Sequence, residues 1–145
     1  MSPAKTFEYR LVRRIHIAVH RPGPPSDDEW REYLADIGRR IELIDGVLVF
    51  APHGELSRAQ RSQASQFWKQ QPKLPPLAVV TPSLLVVRTV GALRWFIPSQ
   101  IRVFLTRDVD QAYDYVKLSG DQRQAVERCV RELAREQGLP DPLGR

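Results

Sequence analysis

The chain has 145 residues, 42% of them hydrophobic and 27% charged, an ordinary globular composition of one domain's length, able to bury a core without cross-links. Cys129 is the only cysteine, which excludes an intrachain disulfide and fits a reducing cytoplasm. Lys and Arg number 22 against 17 Asp and Glu, a net charge of +5.

The opening stretch MSPAKTFEYR has no apolar run behind its positive charge, so no secretory signal is expected. FEYRLV is β-prone, and IHIAVH, residues 15–20, alternates strictly, with Ile15, Ile17 and Val19 on one face and His16, Ala18 and His20 on the other. The two segments are expected to pair as a hairpin, although Arg13-Arg14 between them carries no turn signal. If helices cover one sheet face only, His16 and His20 stand exposed. RPGPP then breaks the strand.

A helix follows at once. Ser26-Asp27-Asp28-Glu29 fits a capping box, and three acids suit the positive helix start. Trp30, Tyr33, Leu34, Ile37 and Ile41 recur at helical spacing. Asp45-Gly46 turns the chain into VLVFA, a continuous apolar run of the kind found in interior parallel strands. PHGELS, residues 52–57, is a loop, and a polar second helix runs from about Ser57 to Gln70. Its apolar face is thin, with Ala59, Ala64, Phe67 and Trp68 amid five glutamines.

The stretch LAVVTPSLLVVRTVGALRWF, residues 77–96, is too charged and too interrupted for a membrane span. It splits into a strand, a turn capped by Ser83, and a third helix from Leu84 to Phe96. Leu84, Val87, Val90, Gly91 and Trp95 fall on the buried side, leaving Arg88 and Arg94 toward solvent. IRVFL is the next strand, with Thr106 or Asp108 capping a fourth helix whose inner face is Val109, Ala112, Tyr113 and Val116. Ser119-Gly-Asp-Gln122 is a second capping box. It opens a last helix at about 120–137 with the stripe Val126, Cys129, Val130 and Leu133, ended by Gly138 and Pro140. That stripe is expected to pack within the molecule, with a homodimer as the alternative.

The alternation of strands and helices predicts an α/β domain with a mainly parallel sheet of four to five strands and covering helices. No motif dictates a reaction. His16 and His20 stand roughly 13 Å apart on a strand and cannot share one metal. No metal or cofactor site is expected. Glycine-rich phosphate loops are absent. Ser57 opens a helix after a strand, with His53 nearby in sequence. That arrangement is the whole basis for a hydrolase alternative.

Residues 52–107 carry eight basic residues and one acid, Glu55. Such a segment favours an acidic partner. The same charge raises nucleic-acid binding as a further alternative.

The β-hairpin, the capped helix SDDEWREYLADIGRRI, the strand VLVFA and the helix starting near Ser57 resemble a STAS domain, in the broad SpoIIAA-like class of bacterial-type proteins. LAVVTPSLLVVRTVGALRWF followed by IRVFLTRDVDQAYDYV is similar to the later half of such domains. The resemblance covers residues 7–118, leaving the helix at 120–137 as an addition to the core. It implies a non-enzymatic regulatory module that binds other proteins, among them kinases and sigma-factor regulators. It also implies a phosphorylatable residue at the start of the second helix, where only Ser57 matches. The Asp-Ser pair of the family pattern is replaced here by APHGELSRAQ. The expected partner surface is therefore the loop at 52–57, the second helix with Arg58 and Arg61, and Arg88 and Arg94 of the third.

Overall fold

The computed structural model describes residues 7–51, 56–92 and 98–144. The strands are β1 (Phe7–Val12), β2 (Ile15–His20), β3 (Gly46–Phe50), β4 (Leu77–Thr81) and β5 (Ile101–Leu105). The helices are α1 (Asp27–Arg39), α2 (Arg58–Lys69), α3 (Leu84–Ala92), α4 (Val109–Tyr115) and α5 (Gly120–Glu136). This is the element order expected from the sequence.

The five strands form one sheet in the order β1-β2-β3-β4-β5, with β1 antiparallel to β2 and all later pairs parallel. Each parallel pair is bridged by a helix, as a parallel connection requires. The link from β1 to β2 is two residues long, and both have positive φ: 48° at Arg13 and 70° at Arg14. Two-residue antiparallel connections favour that backbone because its twist matches the strands, and they usually recruit Asn-Gly for it. Here arginines hold it. The Arg14 guanidinium grips both carboxylate oxygens of Asp45, at 2.8 and 3.1 Å, and the Asp45 N–H donates to Arg14 O at 2.7 Å.

Strand alternation sorts side chains into two layers. Ile15, Ile17, Val19, Leu48, Phe50, Ala78 and Val80 join α4, α5 and Leu143 in one apolar cluster. Ala18, Val47, Val49 and Leu77 join α1 and Trp68 of α2 in the other. Both faces of the sheet are covered, so His16 and His20 are 0% and 7% exposed. The expectation that they stand in solvent is corrected: a second helical layer sits on their face.

The α5 stripe of Val126, Cys129, Val130 and Leu133 is buried, and the helix packs on β1 and β2. Intramolecular packing, the expected arrangement, accounts for that stripe. Two further expectations are corrected. Leu84, in the first turn of α3, is 47% exposed. Thr106 starts a 3-10 turn, and Asp108, at the cap position of α4, makes no side-chain capping bond. Val90, Gly91 and Trp95 lie outside the described side chains. Among the described residues no helix is long and apolar enough to cross a membrane.

Candidate functional site

The start of α2 is tied to α1 by a network of side-chain hydrogen bonds. Ser57 is its N-cap in a capping box: the Gln60 N–H donates to Ser57 Oγ at 3.1 Å, and the Ser57 N–H donates to Gln60 Oε1 at 3.0 Å. The Gln60 side chain does more than cap. It is 2% exposed, and its Nε2 donates to Pro25 O at 2.7 Å and to Asp27 Oδ1 at 3.2 Å. Trp30 Nε1–H returns a bond to Gln60 O at 3.0 Å. The start of α2 is thus bolted to the start of α1 by groups that would be costly to leave unpaired.

Opposite this seat and the buried Trp68, α2 carries an exposed face. Arg58 and Arg61 are exposed, one turn apart, and neither forms an ion pair with a described residue. The helix has Lys69 in its last turn and no acid. Arg88 is likewise exposed and forms no ion pair with a described residue, but it belongs to α3, which packs on β4 and β5. Leu84 and Leu85, at 47% and 74% exposure, add an apolar spot at the start of α3. Arg94 and His53 lie outside the described residues, as does the loop at 52–55. Ser57 is exposed and its hydroxyl serves as the cap.

Two other places carry polar chemistry. At the carboxyl ends of the parallel strands a pocket of about 380 Å³ is lined by His20, Ala51, Pro82 and Thr106, with the segment after α5 as its outer wall. This is where open α/β sheets bind ligands. Among the described residues its lining sets His20, Thr106 and Asp141 amid apolar side chains and prolines, with no Lys or Arg.

The second place lies beneath α1. His16 Nε2 is 2.9 Å from Asp36 Oδ2, while Asp36 Oδ1 meets Arg39 Nη2 at 3.2 Å and Arg40 Nε at 3.3 Å. The His16 ring stacks on Tyr9 and meets Tyr33 edge-on, at centroid distances of 5.6 and 5.5 Å. Burial lowers the His16 pKa, against the hydrogen bond and charge of Asp36. Burial pushes His20 down to about 4 and the Cys129 thiol up to about 11, which keeps it an unreactive core thiol. Sequence reasoning missed the His16–Asp36 pair. The available signal was a carboxylate placed on the inner stripe of α1, three residues from Tyr33.

The chain matches no protein-family model, no curated protein and no solved structure.

Proposed function

We propose that the chain is a STAS-like regulatory module of the cytoplasm, with no reaction of its own, that binds an acidic surface of a protein partner through α2 and the start of α3. The observation that carries the reading is the outer face of α2. Arg58 and Arg61 stand exposed on a helix without acids, and no described residue neutralises them. Cations left uncompensated in this way steer and select an oppositely charged partner. Arg88 and the exposed Leu84 and Leu85 extend the surface onto α3, and an apolar spot beside charge is the composition of an interface core with its rim. The order of elements, with an antiparallel first pair and a parallel remainder, is compatible with the STAS resemblance.

The test uses the native host lysate and tagged chain. Arg58→Glu with Arg61→Glu is compared with Arg128→Glu, an exposed charge reversal on α5. The reading expects a specific protein retained by the wild type and by Arg128→Glu and lost with the α2 pair. A protein retained equally by all three would remove α2 from the interface. The same cations suit a phosphate backbone, so a gel shift with DNA and RNA at two salt concentrations is the companion experiment. A shift that weakens steeply with salt would replace the protein partner by a nucleic acid.

A further inference from the structure

One helix packs over both buried histidines, and His20 also borders the pocket walled by Asp141 and its neighbours. His16 and His20 share a face of β2, roughly 13 Å apart, and both lie in the α1–α2 layer. At the His16 end α1 supplies Tyr33, Asp36, Arg39 and Arg40. At the His20 end it supplies Glu29, whose charge acts on that ring. β1 adds Tyr9, while β3 and α2 offer this layer Val47, Val49, Ala51 and Trp68, none of which titrates.

The protonation chemistry follows from the partners. A carboxylate only accepts hydrogen bonds, so at neutral pH His16 Nε2 carries the hydrogen that Asp36 receives. His16 Nδ1 is buried and has no hydrogen-bond partner. A second proton would therefore place an N–H and a charge between two tyrosine rings with no acceptor for it. At His20 burial likewise opposes the charged form, with Glu29 working the other way. The opposite face of the sheet, with α4 and α5, packs on Ile15, Ile17 and Val19, the residues of β2 that alternate with the histidines.

We propose that α1 is an acid-released cover: it stays docked on β2 while His16 and His20 are neutral, and it opens as one local unit when both are protonated, leaving the α4–α5 layer in place. The direction follows from linkage. Both histidines bind protons more weakly docked than undocked, so docking is at full strength above about pH 6.5 and weakens as the pH falls toward 4. Between pH 6.5 and 5, opening of α1 grows by about fifteenfold from His20 alone.

Hydrogen exchange on the intact chain at pH 7 and pH 5, corrected for intrinsic rates, tests this. pH 5 stands above the ordinary carboxylate range, so the comparison reads histidines. The expected result is a loss of protection in α1 of about twentyfold or more, with α5 amides within about twofold of their pH 7 values. Joint loss in α1 and α5, which is plain acid unfolding, overturns the proposal, and so does an unchanged α1. His16→Gln with His20→Gln gives the second arm: if this variant folds, α1 must lose its pH dependence, and a dependence that persists overturns the assignment. If it fails to fold, the wild-type exchange pattern alone decides.

Discussion

Lys117 follows the last turn of α4 with φ of 61°. Its N–H donates to Asp114 O and the Leu118 N–H to Tyr113 O, both at 3.1 Å, which is the paired closure that ends many helices with a glycine. Gly138 occupies the equivalent place after α5, with φ of 71°. Lys117→Gly should therefore stabilise the protein by about 0.5–1 kcal/mol, the relief of left-handed strain less the added freedom of the unfolded chain. A higher urea midpoint with unchanged slope is the expected reading, and a lower midpoint would contradict it. Gly138 could be read from the sequence as a stop because glycine advertises its backbone. Lys117 could not, since a lysine gives no sign of a left-handed helix closure, and Arg13 and Arg14 could not, since Gln122 and Asp45 bond to them from distant elements. The histidines escaped for a related reason. Alternation in IHIAVH separates two faces, but it does not say whether the polar face meets water or a helix carrying Asp36.

At the scale of elements, the helix starts were the most readable features. Ser26, Ser57, Ser83 and Ser119 all accept a bond from a backbone N–H three residues on. A short hydroxyl before an apolar or polar helical run is a local signal, and local signals survive folding unchanged. Ser57→Ala should cost about 1 kcal/mol, while Ser57→Asp, also a good cap, should hold stability. Chemical denaturation of the pair checks both. An Asp variant that folds normally yet loses its partner, beside an Ala variant that keeps it, would instead favour Ser57 as a phosphorylation switch. Gln60 was the feature of α2 that the sequence concealed, one glutamine among five. Its role depends on Pro25, Asp27 and Trp30 arriving from another helix. Gln60→Ala strands the buried Pro25 carbonyl and should cost about 2 kcal/mol, more than Ser57→Ala. Equal costs would show that the seat between α1 and α2 adds nothing beyond capping.

For the whole molecule, the sheet follows chain order, and each new strand lies beside the one before it. The alternating pattern made this architecture readable, although spacing alone could not say that two helices without a following strand would supply the second layer. Leu133 is 0% exposed in that layer. Leu133→Glu should unfold the chain rather than release folded monomers from a dimer, because it buries a charge in the molecule's own core. Circular dichroism and light scattering distinguish the outcomes, and a folded monomer derived from a wild-type dimer would show that α5 joins two copies.

The α5 helix also ties back to the first two strands. Arg10 of β1 reaches Glu132 at 3.3 Å and Glu136 at 2.5 Å, and Gln137 Nε2 donates to Val19 O at 3.0 Å. During synthesis, which runs from the N-terminus at about 5–20 residues per second, β1 to β5 can assemble in the order they emerge. The face formed by Ile15, Ile17 and Val19 has no α5 until residues 120–136 have been made. A growing chain is thus a sheet with one bare apolar side, a natural client for a holding chaperone, and it becomes self-sufficient only when its last helix returns to its first strands.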